Sequence, residues 1–295
     1  MINKGLSRIG VFFLYLISLL PFWMLYLISD VLYLILYRII GYRTRVVREN
    51  LANSFPEKSA ADRLAIEKKY FHYLGDLIME TIKMLSISPQ EARRRMRPLH
   101  NDTDSRVNEI LNQSRTLLVA AGHYCNWELT ALSCSMITDE ARIIVYKPLA
   151  NRVFDDLFKD VRSRFGGTPV AMKDILRKLV TLRGKASLTV LVSDQTPVQE
   201  SVQYFAQFLN QPTAIFLGIE KMAMATNAVV GFWDVRCVKR GYYVYDFIHF
   251  TSEPKKTAEY EITNMHVAYL EQVIKAEPQY WLWSHKRWKF KPRNL

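Results

Sequence analysis

Between Ile9 and Ile40 the chain is almost continuously apolar, and this stretch constrains the fold more than any other feature. A helix needs about 20 apolar residues to cross a bilayer, and residues 9–28 meet that length with Pro21 as the interruption. A proline is tolerated within a membrane helix or starts a second one. Residues 31–40 would then form a shorter interfacial helix, with Asp30 as its cap. A signal peptide also sets basic residues, here Lys4 and Arg8, before an apolar run. This run is too long and no small-x-small site ends it, so an uncleaved anchor is expected. A buried core helix is the competing reading, and the run exceeds ordinary core-helix lengths. Arg38, Arg43, Arg45 and Arg48 follow. Beside an anchor such cations face anionic headgroups on the cytoplasmic side, each contributing about 1 kcal/mol. Without one they are only a solvated helix face.

Beyond the run the chain reads as a globular body, because 49% apolar and 23% charged residues exclude extensive disorder. No repeat or low-complexity linker divides it, so residues 1–45 are expected as the membrane anchor with its interfacial helix and 46–295 as one catalytic domain. Apolar positions recur at helical spacing over 57–85. Short buried strands then alternate with helices: strands at 116–121, 142–146, 186–192, 228–235 and 242–250, helices at 127–137, 151–165, 174–182, 213–225 and 257–276. That alternation predicts an α/β domain whose central sheet is largely parallel and flanked by helices.

Cys125, Cys134 and Cys237 form no C-x-x-C pair and no even disulfide set, which fits a reducing compartment and argues against a structural zinc site. The net charge of +12 suits nucleic acid, an anionic membrane or an acidic protein. No zinc finger, basic zipper or aromatic RNA-binding signature accompanies it, so nucleic acid is not expected as a partner.

The chemistry concentrates in His123-Tyr124-Cys125-Asn126-Trp127-Glu128. In open α/β sheets ligands gather at the carboxyl ends of strands. The 116–121 strand ends at Gly122, which makes His123 the first bulky residue beyond it. Asn126 is a good cap for the next helix and sets Glu128 in its first turn. Five residues apart on one helix, His123 and Glu128 would point about 140° apart. With His123 in the loop, the Glu128 carboxylate is expected to reach the imidazole. A carboxylate-held imidazole is a general base for a hydroxyl. No G-x-S-x-G elbow supplies a protein nucleophile, so the hydroxyl would belong to the substrate. A plain surface or core His–Glu pair is the alternative. Cys125 as nucleophile is a further one, although cysteine more often acts as a small buried hydrophobe.

Further motifs follow in a specific order: Arg48-Glu49-Asn50-Leu51 with Ser54-Phe55-Pro56-Glu57, the H-x-x-x-x-E of His123 and Glu128, Arg162-x-Arg164-x-Gly166-Gly167, Asp194-Gln195, and Pro278-Gln279-Tyr280-Trp281-x-Trp283-x-His285-x-Arg287-Trp288. Across almost its full length the chain resembles the late lipid A acyltransferases, the lauroyl/myristoyl acyltransferase family of Gram-negative bacteria. The resemblance implies a lysophospholipid acyltransferase-like fold and an inner-membrane enzyme with its catalytic domain on the cytoplasmic side. It also implies an acyl carrier protein donor, a lipid A precursor hydroxyl as acceptor, anionic lipid around the anchor, and no metal or organic cofactor. By position His123 would be the base and Glu128 its orienting carboxylate. Arg164 would lie near the thioester oxyanion or an acceptor phosphate, and Asp194 would be a substrate-binding acid. For Asp194 a structural turn role is open as well. His285 and Arg287 fall in an aromatic tail that packs or meets the membrane interface, without a catalytic role. Where many members carry Phe-Phe-Gly-x-Pro, this chain has Phe208-Leu209-Asn210-Gln211-Pro212, so the tight glycine turn is expected to be lost and the acceptor is in doubt.

Two alternatives remain open in the sequence. One is an acyltransferase acting on a lysophospholipid, aminolipid or other glycolipid. The other is a non-catalytic membrane scaffold that recruits partners through its basic surface.

Overall fold

The computed structural model describes residues 4–292, so the first three and last three positions of the expected 1–45 and 46–295 division lie outside it. The apolar N-terminus is two helices. Pro21 has no amide hydrogen to give the preceding turn, and it separates α1 (Lys4–Leu19) from α2 (Phe22–Tyr33). Unbroken, α2 widens into a π-helical stretch, Leu34–Ile39. Among the described residues the apolar helix long enough to cross a membrane is therefore Phe22–Ile39, not 9–28. Asp30 lies within α2 and caps nothing; its carboxylate pairs with Arg240 at 2.6 Å.

Next come α3 (Thr44–Ser54) and the long α4 (Ala60–Lys83), which Ser59 and Asp62 open with a reciprocal capping box. α5 (Pro89–Arg95), β1 (Met96–Pro98) and α6 (Thr103–Asn112) lead into the alternating body. There β2 (Thr116–Ala121), α7 (Trp127–Cys134), β3 (Ala141–Tyr146), α8 (Arg152–Ser163), β4 (Thr168–Ala171), α9 (Ile175–Thr181) and β5 (Ser187–Val192) follow in turn. A hairpin of β6 (Tyr204–Phe208) and β7 (Gln211–Ile215) precedes α10 (Gly218–Thr226). β8 (Val229–Lys239), β9 (Tyr242–Thr251) and α11 (Glu261–Ala276) complete the order. The 213–225 stretch, predicted as one helix, divides: its start pairs with β6, and the helix begins only at Gly218.

The sheet has seven strands in the order β1-β9-β8-β2-β5-β3-β4. It is largely parallel, with β9 antiparallel to β8 and β1 running with β9. All six residues of β2 are buried, as expected for a central parallel strand covered on both faces. Each Leu or Val there contributes about 1.5–3 kcal/mol by leaving water.

The expected loss of the tight turn at 208–212 does not occur. Phe208 pairs with Gln211, and the two-residue loop between them holds Leu209 at φ 51° and Asn210 at φ 62°. These are the left-handed conformations of a hairpin turn of the I′ type, which glycine adopts more readily. Bonds outside the hairpin hold them: Leu209 N donates to Glu271 (3.0 Å), and Asn210 Nδ2 donates to the Ser54 carbonyl (3.0 Å). The aromatic tail packs inward, with Trp281 and Trp283 buried. Asn50 Nδ2 donates to the carbonyls of Trp283 (2.8 Å) and His285 (3.0 Å), so the first and last sequence motifs form one structural unit.

Candidate active site

β2 and β5 are parallel neighbours, and their register sets Ala121 beside Val192. Two residues beyond each strand, His123 and Asp194 therefore meet. The imidazole Nδ1 lies 2.5 Å from Asp194 Oδ1, while the His123 amide donates to Oδ2 at 2.9 Å. Trp281 Nε1 also donates to Oδ2, at 2.7 Å. Burial pushes the Asp194 pKa up, but the adjacent His123, with its ring and backbone donors, and Trp281 outweigh it. The carboxyl is held well below its usual range. An ionised Asp194 fixes a proton on Nδ1 and leaves Nε2 as the acceptor. Gln195 Nε2, at 3.0 Å, faces that lone pair.

This corrects the expected pairing. The carboxylate on His123 is Asp194, and Glu128 instead holds Arg162, whose Nη2 and Nε donate to its two oxygens at 2.6 and 3.1 Å. The reason is local: Asn126 does cap α7, accepting from Leu129 N at 2.9 Å, which turns Glu128 towards α8. Arg164 is also not where it was expected. It caps α8 and donates to the carbonyls of Met84 and Ile87, tying α8 to the end of α4. Gly167 follows because a Cβ there would meet the Arg162 carbonyl at 2.7 Å and the Ser135 hydroxyl at 2.6 Å.

The loop that carries His123 is clamped from both sides. Cys125 sits at φ 50°, its amide donates to the Tyr280 carbonyl (3.0 Å), and Leu282 N donates to the His123 carbonyl (3.1 Å). From beneath, the buried Glu80 carboxylate accepts from Asn126 Nδ2 (2.7 Å), Tyr243 Oη (2.8 Å) and Tyr26 Oη (3.0 Å). Burial raises the Glu80 pKa to about 6 against these donors. Burial also raises the Cys125 thiol pKa far above its ordinary value, which disfavours the thiolate that a nucleophile needs.

His123, Glu128, Arg162 and Gln195 open onto one cavity of about 520 Å³. Its remaining wall is mostly apolar, with Ala131, Ile144, Phe158, Met172, Leu191, Phe216 and Met222. A wider open depression of about 710 Å³ between β6 and α11 holds none of these four residues. Sequence reasoning found His123 and quoted Arg162 but passed over it. Sequence reasoning missed Trp281 and Glu80 as groups acting on the loop; the one signal for Glu80 is an acid set among the apolar residues Leu77, Ile78, Met79 and Ile82.

A largely parallel sheet thus presents a carboxylate-held histidine at the carboxyl ends of its central strands, beside a cavity whose wall is mostly apolar. The profile of the bacterial lipid A biosynthesis acyltransferases matches residues 1–290. The lipid A biosynthesis lauroyltransferase of Escherichia coli (strain K12) is 26% identical over 292 residues, covering 98% of this chain and 93% of that protein. The chain belongs to the bacterial lipid A biosynthesis acyltransferase family and is an acyltransferase of lipid A biosynthesis.

Proposed function

We propose that the protein transfers a fatty acyl chain from an acyl carrier protein thioester to a hydroxyl of a lipid A precursor, at the cytoplasmic face of the inner membrane. His123 is the general base. Its Nε2 takes the proton of the acceptor hydroxyl, whose oxygen forms the new bond to the thioester carbonyl carbon. The carbon–sulfur bond then breaks, and the imidazolium returns the proton to the leaving thiolate. Asp194 holds the tautomer and stabilises the imidazolium.

Arg162, fixed by Glu128, offers its remaining donors to the oxyanion or to an acceptor phosphate, for which a forked cation is suited. Glu128 thus acts through Arg162, and Asp194 acts on the base. The apolar wall receives the acyl chain, and the basic surface suits both anionic lipid and an acidic carrier protein. No step draws on a metal or organic cofactor.

The observation that carries this reading is the single cavity shared by the His123 base, the Glu128–Arg162 pair and an apolar wall. The test is turnover of purified full-length protein with acyl carrier protein thioester and a lipid A precursor, with a lysophospholipid, an aminolipid and a second glycolipid as competing acceptors. His123→Ala should lower kcat by about a hundredfold to ten-thousandfold. Wild-type turnover by that variant would remove His123 as base. Preference for another acceptor would reassign the lipid and leave the chemistry in place.

A further inference from the structure

The apolar helix Phe22–Ile39 passes the length and hydropathy test for a membrane span, yet only one of its faces is free. The other face is tied along α4 in antiparallel register. Tyr26 Oη donates to Glu80 (3.0 Å), Ser29 Oγ donates to Asp76 (2.6 Å), and the Tyr33 ring stacks on His72 with centroids 3.5 Å apart. Tyr37 stacks on Phe71, with centroids 4.9 Å apart. Arg240 closes the set by donating to both Asp30 and Asp76 at 2.6 Å. α1 is held likewise: Lys83 Nζ donates to the carbonyls of Ser18 (2.8 Å) and Leu20 (2.9 Å), and Asn151 Nδ2 donates to Ser7 Oγ (3.0 Å).

For this helix to cross hydrocarbon, α4 would have to enter with it, carrying Glu80 and Asp76 with the Arg240 that pairs with Asp76. Ionised groups at bilayer depth cost several kcal/mol each even when paired. Separating the helix from α4 would instead strip the Tyr26 donor from Glu80 and the Ser29 donor from Asp76, and would part Asp30 from Arg240. Neither route is favourable, whereas the outward face needs an apolar partner. Of the 24 large apolar side chains exposed among the described residues, 16 lie between Leu6 and Tyr42. Arg8 and Arg38 are exposed on the same segment, and Arg45 is exposed just beyond it at the start of α3. An apolar face rimmed by arginines complements the surface of an anionic bilayer.

We propose that α1 and α2 form a monotopic seat lying in the plane of an anionic bilayer, their outer faces in the acyl boundary and their inner faces on the protein, with no span. α1 packs on α8, whose Phe158 and Arg162 line the cavity, so this seat brings the site to the lipid surface. The inference rests on the membrane association proposed above and is independent of the chemistry assigned to His123.

The experiment uses full-length protein on vesicles of phosphatidylethanolamine and phosphatidylglycerol. Single spin labels go on Trp23→Cys, Leu27→Cys, Val31→Cys, Ile35→Cys and Ile39→Cys in a Cys237→Ser background, and depth is read from oxygen and nickel-chelate accessibility. All five labels should lie at about 5–10 Å below the headgroups, with no trend along the helix. A profile with Val31 near the midplane and Trp23 and Ile39 at opposite faces overturns the in-plane seat and leaves membrane association intact. Absence of vesicle binding overturns both. Arg38→Glu with Arg45→Glu should weaken binding at least fivefold on anionic vesicles and leave neutral vesicles unaffected; equal binding to both in the wild type overturns the charge complementarity.

Discussion

His123 and Asp194 lie 71 residues apart in the chain, and their side chains meet at 2.5 Å because β2 and β5 are parallel neighbours with Ala121 opposite Val192. The imidazole and its carboxylate partner are thus brought together by sheet register rather than by one loop. Trp281, from the C-terminal tail, adds the donor that locks the carboxylate in place. Three distant segments must be assembled before the imidazole has a defined tautomer.

Asp194→Asn should therefore preserve the fold and lower kcat by about ten-thousandfold, as expected when an orienting carboxylate is lost and the imidazole takes the wrong tautomer. Because the Asp194 carboxyl is held well below the usual carboxylate range, it stays ionised from roughly pH 5 to 8. The loss should be the same across that window. Steady-state kinetics of the variant at several pH values checks this, and a defect confined to the acid end would speak against an orienting role.

Arg162 and Arg164, two residues apart, should part company under mutation. Arg162 faces the cavity on Glu128, so Arg162→Ala should cost about a hundredfold or more in kcat. Glu128→Gln should lower kcat through the same group, and the double variant should be little worse than the worse single one. Arg164 donates to main-chain carbonyls of Met84 and Ile87, so Arg164→Ala should cost stability, about 1–3 kcal/mol, and leave kcat near wild type. Parallel melting curves and kinetics separate the two. Additive losses for Glu128 and Arg162 would mean that the pair does not act as a unit.

The contrast shows which parts of the molecule were legible in the chain. β2 and β5 announced themselves as buried apolar runs, and His123 followed from its place just beyond a strand. Glu128 misled because proximity in sequence stood in for proximity in space. The Asn126 cap was readable, but nothing in the sequence says that α8 offers Arg162 to Glu128, or that β5, rather than β3, is the neighbour of β2. The helix expected at 213–225 failed for a similar reason, since the strand at its start exists only through pairing with β6. The N-terminal helices carried a readable clue: Tyr26, Ser29, Tyr33 and Tyr37 recur at helical spacing, a polar stripe that a fully lipid-embedded helix has no use for.

Glu80 should give the stability of the protein an unusual pH dependence. Its folded pKa is raised by burial to about 6, so the contribution is fully present below the ordinary carboxylate range and is lost as pH rises through about 6. From roughly pH 4.5 to 7.5 that loss is on the order of 2 kcal/mol. Glu80→Gln has no such titration, and its amide oxygen still accepts from Asn126 and Tyr243. Melting temperature should therefore fall less with rising pH in the variant than in the wild type. Identical slopes would show that Glu80 does not titrate in this range.

Cys125 provides the test of whether the protein itself carries the acyl group. It lies two residues after His123 in the same loop, so a covalent route through it is chemically conceivable. Its thiol is fully buried, and burial raises the pKa so far that thiolate is scarce at neutral pH. Asp194, the carboxylate on His123, is engaged by His123 and Trp281, and Cys125 takes no part in that set. Cys125→Ala should accordingly keep kcat within about threefold while costing about 1 kcal/mol of stability from the lost sulfur packing. Iodoacetamide should leave Cys125 unmodified in the folded protein. Mass spectrometry of enzyme quenched during turnover should find no mass increase of one acyl group; such an adduct on Cys125 would replace direct attack by the acceptor hydroxyl with a two-step transfer.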